Sequence, residues 1–477
     1  MLAGNLESST SLHKMTIGKS ILTIAVLAAL VAACQSDYSY GGGERGVDLS
    51  ADTVSFDTVY SDAATAAASI KVYNRSSSDM TVASIALAGG EASAFEVNIN
   101  GQAACEARGL RLASGDSLYV FVRLRAGANG SSEPVEMLDS VVVTTARAVQ
   151  RVVLRACSQD VVRLADASLG TMHLTADRPY LVTGTLTVDS AAVLTVDAGA
   201  RIYFAGDASM LVRGRLEVCG TPDRPALFAT HRREAWYADL PGQWQGIELA
   251  AGSSASLAYA TVANAVTALR IDSAATADAL VGCRLMHASR DGLHARCARV
   301  DLTNTLVANC GRCLVLVEGG RCRMLHCTLA NYQRRISRLA PSLYVSDNWL
   351  ADDGTPVCAP VESLEIINSI VYGTMLNELT LDMSGETDEP VTTVRNSLLR
   401  LGSAWADTEA DSRFEATIVN SDPLFSDTDG AHFGLTADSP ARDAADPASA
   451  LPVDIRSIAR FADGQPDMGA FEFEVSE

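Results

Sequence analysis

The sequence has few basic residues and almost no lysine. Of its 477 residues, 37 are Lys or Arg and 57 are Asp or Glu, so the formal net charge is -20. Nucleic acids and anionic membrane surfaces are bound by an excess of Lys and Arg, and the composition argues against both as partners. Beyond Lys19 the only lysine is Lys71. A mechanism that needs a lysine base in the main body of the chain is therefore excluded.

Helical patterning is missing as well. No ten-residue stretch after residue 50 keeps a convincing helical period. Short runs rich in Val, Leu, Ile and Thr alternate instead with Gly and other turn-forming residues, a pattern that predicts β structure throughout. The length exceeds that of one ordinary hydrophobic core, so we expect two or three domains.

The N-terminus has the features of an export signal. Lys19 precedes an apolar run from Ile21 to Val31, which is too short to span a bilayer. The sequence Leu30-Val-Ala-Ala-Cys34 resembles the lipobox of bacterial lipoproteins, which implies cleavage before Cys34 and lipidation of its thiol. We therefore expect a signal peptide over residues 1–33, with translation starting at Met15. A plain signal peptide that is cut elsewhere is the alternative.

A flexible tether is predicted for residues 34–46, because this stretch is rich in Gly and Ser. Gln35, rather than Asp, follows the lipidated cysteine, and the resemblance to lipoproteins then implies retention in the outer membrane. The lipid would be the only membrane contact. Either the cell surface or the periplasmic face is open for the folded part.

Residues 47–157 alternate apolar and polar side chains in several short strands. The clearest are "SIKVYN", "MTVASIAL", "SLYVFVRLRA", "DSVVVTTA" and "VQRVVLRA", separated by turn residues. Several short strands in a segment of this length predict an immunoglobulin-like sandwich, which would act as a spacer or docking surface. Cys105 and Cys157 either form a disulfide there or remain free thiols.

From residue 258 a small unit recurs, with an apolar residue on each side of a central ladder residue. The units are "AYATV" (258–262), "VGCRL" (281–285), "LTNTL" (302–306), "LHCTL" (325–329), "IINSI" (366–370) and "VRNSL" (394–398). The predicted ladder residues are Ala260, Cys283, Asn304, Cys327, Asn368 and Asn396. The first four are spaced by 23, 21 and 23 residues, which indicates a solenoid of stacked β repeats. The wider later spacings predict a loop at about 332–360.

The cysteines of the repeats allow three interpretations. Cys283 and Cys327 occupy the ladder position and are predicted to be core residues, as small groups that are readily buried. Cys310 and Cys313 have the spacing of half a zinc site, and Cys322 and Cys327 would complete a set of four ligands. The sequence alone allows a stacked core, a disulfide or a metal site for these cysteines. Of the three, we do not expect the metal site.

Three upstream stretches, "LVTGTLTV", "LTVDAGARIYF" and "LVRGRLEVCGT", continue the pattern. Together with "LPGQWQGIEL" (240–249) and the closing "PDMGAFEFE", they resemble the right-handed parallel β-helix proteins of the pectate-lyase-like superfamily, in the form found in lipoproteins of Gram-negative bacteria. The resemblance implies a β-helix over residues 158–430 and a C-terminal capping segment over 431–477. The chain departs from the usual closing pattern at Ala444 and Ser457, where glycine is usual.

Two loops contain the candidate ligand-binding residues. Aromatic rings beside arginines suit a sugar or a uronate, although the same tryptophans would also serve as core or cover. The candidates are His231, Arg232, Arg233, Trp236, Tyr237 and Trp244 in the first loop, and Arg334, Arg335 and Trp349 in the second. We identify no catalytic residue and no cofactor. Calcium would be needed only by a polysaccharide lyase.

The leading hypothesis is therefore an outer-membrane lipoprotein, all-β and monomeric, in which an immunoglobulin-like sandwich precedes a right-handed parallel β-helix. Its β-helix would bind a polysaccharide or a glycoprotein without catalysis. A lyase or glycoside hydrolase that acts on an acidic polysaccharide is the first alternative, and a purely structural envelope protein is the second. Acids and arginines that converge in one groove would favour the enzyme.

Overall fold

A computed structural model describes residues 46–61, 65–273, 275–351, 353–405, 408 and 410–474. Cys34, the predicted signal peptide and nearly all of the predicted tether lie outside the described residues. The chain divides into two compact units: the first contains residues 46–55, 65–125 and 138–155, and the second contains 56–61, 126–137 and the described residues from 156 onward. Within the described part, no helix has the length and apolar character needed to cross a membrane.

The first ten strands lie before residue 160, and all five stretches predicted above to be strands are among them. They are β1 (Asp48–Leu49), β2 (Thr53–Tyr60), β3 (Ala68–Tyr73), β4 (Met80–Leu87), β5 (Phe95–Ile99), β6 (Gln102–Ala103), β7 (Glu106–Leu112), β8 (Ser117–Leu124), β9 (Val135–Thr145) and β10 (Val149–Gln159).

These strands form two five-stranded sheets, in the orders β1-β3-β8-β5-β6 and β2-β10-β9-β4-β7. The first sheet is antiparallel in every pairing, and in the second β4 is antiparallel to both β7 and β9. Alternate residues of β8 are buried, as Val120 and Val122 show, whereas Tyr119 and Phe121 between them are exposed. The period of two seen in the sequence is thus the alternation between core and solvent.

The remaining strands are short and regularly spaced. They are β11 (Val162–Ala165), β12 (Ser168–Leu169), β13 (Met172–Leu174), β14 (Tyr180–Thr183), β15 (Thr185–Val188), β16 (Val193–Asp197), β17 (Arg201–Phe204), β18 (Ser209–Val212), β19 (Arg215–Cys219), β20 (Ala226–Thr230), β21 (Gly246–Leu249), β22 (Ser254–Ala258), β23 (Ala260–Ala263), β24 (Leu269–Ile271), β25 (Thr276–Val281), β26 (Arg284–Met286), β27 (Leu293–Thr303), β28 (Leu306–Ala308), β29 (Val315–Leu325), β30 (Thr328–Asn331), β31 (Leu343–Ser346), β32 (Asn348–Leu350), β33 (Pro356–Cys358), β34 (Val361–Ile367), β35 (Ile370–Gly373), β36 (Leu379–Asp382), β37 (Val391–Arg395), β38 (Leu398–Leu399), β39 (Phe414–Glu415), β40 (Ile418–Val419), β41 (Phe425–Asp427) and β42 (His432–Leu435). Among the described residues there are three single-turn 3-10 helices, at Gly90–Ala92, Ala235–Tyr237 and Ser403–Trp405.

Two large parallel sheets dominate the second unit. One has 11 strands in the order β11-β14-β17-β20-β23-β26-β28-β30-β35-β38-β40, and the other has 17. Each strand pairs in parallel with its counterpart in the next repeat, so that Leu306 of β28 lies opposite Thr328 of β30. The structure confirms the prediction of an all-β chain dominated by large parallel sheets.

The largest hydrophobic cluster of the second unit receives residues from both large sheets. Leu280, Leu302 and Met324 lie opposite one another on successive strands and are at most 1% exposed. Trp244 is also fully buried, with its ring stacked 3.9 Å from that of Phe204. Because each repeat covers the apolar side chains of the previous one, stability comes from contacts between neighbours.

The six predicted ladder residues lie in two neighbouring columns, not in one. The inward column contains Ala260, Cys283, Thr305, Cys327, Ser369 and Ser397, whereas Asn304, Asn368 and Asn396 belong to the preceding column with Tyr259, Gly282 and His326. Aligning the asparagines with the cysteines was therefore an error of one residue, which in a strand reverses the direction of the side chain.

The backbone conformation explains the residue types in the preceding column. Its members all adopt a positive φ, between 44° and 65°. This left-handed region is disfavoured for most side chains but tolerated by Gly and Asn, so asparagine is selected there by backbone conformation. In the inward column the hydroxyls bond to nearby carbonyls; Thr305 Oγ1 donates to Leu280 O at 3.1 Å.

A C-terminal segment, residues 425–474, covers the outer face of the 11-stranded sheet. Apolar residues of that face, including Leu306, Ile370 and Leu398, pack against Phe433 and Ile455 of the segment. Asparagine side chains of the left-handed column donate hydrogen bonds to the backbone of this segment. Asn304 Nδ2 donates to Val453 O (2.8 Å), Asn368 Nδ2 to Asp446 O (3.1 Å) and Asn396 Nδ2 to Ala444 O (3.3 Å). The asparagines thus point outward, to the segment.

A buried charge network lies beneath this segment. Arg460 has no exposed surface, and its Nη1 lies 3.2 Å from Glu472 Oε2 while its Nη2 donates to Asn304 Oδ1 at 2.8 Å. Asp467 differs, because its carboxylate accepts backbone N–H groups from Asp443 and Phe473. Arginine pairing therefore holds Glu472, whereas backbone donors hold Asp467.

The predicted loop at 332–360 is interrupted by a strand. Strand β31 (Leu343–Ser346) pairs with β29 and β36 inside the 17-stranded sheet, with Leu343 and Val345 fully buried. Two excursions flank it: residues 332–342 and the antiparallel hairpin β32–β33. The prediction of a single loop was wrong. The alternation that includes Leu343 and Val345 is too short to indicate a strand clearly, and it follows a polar stretch with three arginines.

Candidate ligand-binding cleft

The two candidate loops meet in space through Arg335. Its Nη2 and Nε lie 2.7 and 3.1 Å from the carboxylate oxygens of Asp239, a bidentate pair between residues 96 positions apart. The guanidinium also lies 4.7 Å from the ring centroid of Trp236, which is 66% exposed. Arg335 of the second loop therefore contacts both an acid and an indole ring of the first loop.

An open cleft of about 380 Å³ lies beside this contact. Its walls come from the 238–239 stretch, the 332–335 stretch and the tip of the β41–β42 hairpin. Arg334 spans two of these walls, since its Nη2 lies 2.6 Å from Asp429 Oδ1 on the hairpin. Acidic and basic residues from distant parts of the sequence thus converge in one groove.

A column of amide side chains supports the cleft from below. Asn264, His287, Asn309 and Asn331 lie opposite one another in successive repeats. Asn264 Nδ2 donates to the carbonyls of Ala238 (3.0 Å) and Leu240 (3.1 Å) and so fixes the turn that presents Trp236. Asn309 Oδ1 accepts the N–H of Tyr332 at 3.0 Å, which fixes the second loop.

His287 is the exception in this column. It lines the cleft, and among the described residues its ring nitrogens have no hydrogen-bond partner, whereas the asparagines on either side bond to loop backbone. Burial, helped by the positive charge of Arg335, lowers the pKa of His287 below its usual 6.5. The ring is therefore neutral near pH 7 and offers one donor and one acceptor to a ligand.

The charges in the cleft are balanced in pairs. Arg335 lowers the pKa of Asp239, so that carboxylate is ionised at neutral pH. Arg334 and Asp429 form the second pair and are both largely exposed. An anionic ligand would have to displace a carboxylate from one of these pairs, whereas hydroxyl groups could bond to both partners without separating them.

Most other candidates of the first loop contact their own neighbourhood. Arg232 forms a bidentate pair with Glu234 and lies 4.0 Å from the ring centroid of Tyr237. Arg233 lies 4.9 Å from the ring centroid of Tyr203. These contacts shape the loop but leave both arginines outside the cleft lining.

His231 and Trp244 serve the core side of the same loop. His231 Nδ1 lies 3.2 Å from Phe204 O, and burial lowers the pKa of the histidine. Trp244 Nε1 donates to Ala263 O at 2.8 Å, so its polar atom is satisfied inside the protein. A ligand cannot reach this fully buried indole.

Trp349 lies apart from the cleft. It belongs to the β32–β33 hairpin, where the guanidinium of Arg296 is 5.7 Å from its ring centroid. It lines a shallow surface with Leu350 and Cys358, none of which lines the cleft. The structure therefore brings Trp236, Arg334 and Arg335 together and separates Trp349 from them.

The described cysteines are free thiols, and the five of the repeats that were named above are buried. All ten described cysteines are unpaired, Cys105 and Cys157 included. Burial raises the pKa of Cys283, Cys310, Cys313, Cys322 and Cys327 to about 12. Across the described residues, no group of His, Cys, Asp and Glu is arranged to hold a metal ion.

Sequence reasoning missed Asp239, His287, Asn309 and Asp429, all of which line the cleft. One signal was available. Asn264, His287, Asn309 and Asn331 recur at intervals of 23, 22 and 22 residues, so a second ladder was readable in the sequence. The acids had no such signal, because their partners are distant in the chain.

Comparisons with known proteins identify no family. No protein-family description matches the chain, and no curated protein matches it significantly. Among solved structures, a family 123 glycoside hydrolase from Clostridium perfringens, studied for glycolipid glycan hydrolysis, matches 24% of this chain and 26% of its own at 10% identity and a TM-score of 0.18. At this TM-score the likeness supports neither a shared fold nor a shared activity.

Proposed function

We propose that this protein is a glycan-binding lipoprotein whose ligand lies in the cleft beside Trp236. The observation that carries the proposal is the exposed indole held under Arg335 at the edge of a groove with paired charges. Sugar rings present an apolar face and a rim of hydroxyls, and such a ligand suits an aromatic ring flanked by charged donors and acceptors.

The proposal includes the finer architecture. Parallel strands that recur about every 22 residues and pair one repeat onward support a right-handed parallel β-helix in the second unit. Two five-stranded sheets with antiparallel pairing support an immunoglobulin-like sandwich in the first. The lipobox-like sequence that ends at Cys34 supports an outer-membrane anchor.

The protein would bind the ligand without catalysing a reaction of it. Both cleft arginines are paired with carboxylates, so hydroxyls that bridge Arg335 and Asp239 would gain hydrogen bonds at little electrostatic cost. Trp236 would stack on a ring face. Neutral His287 would complete the floor as a donor and an acceptor.

The test is a binding screen of the purified full chain in mild detergent against neutral and acidic polysaccharides. Truncating an exposed aromatic anchor removes roughly 1 to 2 kcal/mol, so Trp236→Ala should weaken binding about tenfold. Trp349→Ala is the matched control, because it removes another Trp–Arg contact outside the cleft. Binding that is unchanged by Trp236→Ala and Arg335→Ala, or weakened only by Trp349→Ala, would contradict the proposal.

A second candidate function is cleavage of a polysaccharide. Converging acids and arginines, with an unpartnered neutral histidine among them, favour it. The same screen should therefore follow reducing ends and unsaturated-uronate absorbance with calcium present. Cleavage that disappears on His287→Ala would replace the binding proposal with an enzymatic one. No cleavage, together with binding that depends on Trp236, would support binding alone.

A further inference from the structure

A second exposed aromatic surface lies on the first unit, on the solvent face of strand β8. Tyr119 and Phe121 are 39% and 43% exposed, and their rings lie nearly parallel with centroids 5.9 Å apart. The two residues are separated by one buried valine, so both point to the same face of the sheet. The pair forms a partly exposed apolar strip on this face of the first unit.

Polar groups surround this strip on the neighbouring strands. Lys71 of β3 lies opposite Tyr119, with its Nζ 5.2 Å from the ring centroid. On the other side, Asn98 of β5 lies opposite Phe121, and Glu96 lies opposite Arg123. The rings are therefore bordered by hydrogen-bonding groups on both sides, with two cations and one carboxylate among them.

A cleft of about 420 Å³ opens at the Phe121 end of the strip. Its floor includes Asn98 and Phe121, and its walls come from the 90–93 turn and the 103–105 stretch. All of these residues belong to the first unit. A ring stacked on Phe121 would thus have a concave wall beside it, which a flat surface contact lacks.

Asn98 has an unsatisfied acceptor at this point. Its Oδ1 is buried and has no hydrogen-bond donor in the part of the chain that the structure describes. Buried polar atoms are nearly always paired, so an orphan amide oxygen in a cleft requires a cause. Arg123 lines the same cleft, and its ion pair with Glu96 is long (3.8 Å) and its side chain 59% exposed, so this wall can adjust when a hydroxyl donor approaches the oxygen.

We propose that the Tyr119–Phe121 strip and the adjoining cleft bind a neutral saccharide, as a site separate from the cleft of the second unit. The apolar face of a sugar ring stacks on Phe121 and Tyr119, and a ring hydroxyl donates to Asn98 Oδ1. Neutral sugars are favoured over uronates because Glu96 and Glu91 border the cleft and offset the positive charges.

The proposal is tested by calorimetric titration of the purified full chain with cellohexaose, maltohexaose, mannohexaose and a galacturonate hexamer. At least one neutral hexamer should bind, and Phe121→Ala and Asn98→Ala should each weaken that binding about tenfold. Val149→Ala is the matched control, because Val149 is an exposed apolar residue elsewhere in the first unit. Thermal unfolding of each variant, unchanged from the parent, shows that the sheet is intact.

Trp236→Ala separates this site from the proposed function. Neutral-hexamer binding that survives Trp236→Ala and is lost with Phe121→Ala supports the proposal, even if the second unit binds nothing. Three results overturn it: no neutral hexamer binds; binding survives Phe121→Ala; or the galacturonate hexamer binds more tightly than every neutral one. Sedimentation that shows a dimer dissociated by Phe121→Ala would also overturn it, by assigning the strip to a second copy of the chain.

Discussion

His326 should make the stability of the second unit depend on pH in a way that one substitution removes. The ring is fully buried, and its Nε2 lies 3.0 Å from Asn368 Nδ2. Since Asn368 Oδ1 accepts the N–H of Asp446, the amide nitrogen faces the histidine, and Nε2 must be an unprotonated acceptor. Burial, and then the nearby charge of Arg460, lowers the pKa of His326 to about 2.

The magnitude follows from linkage. The unfolded chain has an ordinary histidine pKa of about 6.5, so below that pH the unfolded state binds a proton that the folded state does not. The contribution of neutral His326 is complete above about pH 6.5 and falls by about 1.4 kcal/mol for each unit below it. Between about pH 7.5 and about pH 5 the loss should reach about 2 kcal/mol.

His326→Asn is the matched perturbation, because Asn304, Asn368 and Asn396 occupy the same left-handed column. Urea unfolding followed by tryptophan fluorescence reports on the second unit alone, since all four tryptophans lie in it. The difference in unfolding free energy between the parent and the variant should shift by about 2 kcal/mol over that pH interval, against the parent at low pH.

Glu472 changes the stability with pH in the opposite direction to His326. Its effect cancels when the parent is compared with the His326→Asn variant. Burial and the neighbouring Asp467 raise the pKa of Glu472 against the opposite effect of its partner Arg460, so its contribution favours low pH and is lost as pH rises through the raised pKa. Both proteins contain it, so only His326 changes their difference. Parallel pH curves for the parent and the variant would refute a buried neutral histidine.

Three further predictions concern single side chains. Ser457 has a φ of 70°, a left-handed conformation that glycine adopts without strain; Ser457→Gly should raise the unfolding free energy by about 1 kcal/mol in urea titrations, and a loss of stability would contradict the strain. Trp244→Ala should cost roughly 3 to 5 kcal/mol in the same assay, whereas Trp236→Ala should cost less than about 0.5; similar costs would refute the assignment of one to the core and the other to the surface. Exposed Cys219 and Cys358 should react with iodoacetamide in the native protein within minutes, while Cys310 and Cys313 react only on unfolding; peptide mass mapping decides, and native labelling of the Cys310–Cys313 pair would contradict its burial.

The strand content and the parallel repeat could be predicted because their signals are local. Alternation along β8 and recurrence of a short apolar unit every 21 to 23 residues depend only on neighbouring residues. The register could not be predicted in this way. Asn304 and Thr305 are both small and polar, and only the positive φ of Asn304 separates the outward column from the inward one.

The cleft was only half predictable for a related reason. Trp236 and Arg335 are conspicuous residues in polar loops, but nothing near Arg335 in the sequence indicates that Asp239 is its partner. The pairing depends on how many repeats separate the two loops. Trp244 shows the opposite error: an aromatic residue in a candidate binding loop became core because its indole meets Phe204 across the stack.

The C-terminal segment has a consequence for the order in which the chain folds. Neighbouring repeats contact each other across about 22 residues, so each repeat can assemble on the one before it. Arg460 meets Asn304 only across 156 residues, so the apolar face that includes Leu306 and Leu398 stays uncovered until residues 425–474 have joined it. A chain that lacks residues 425–474 would therefore display an apolar surface of the kind that chaperones and proteases recognise.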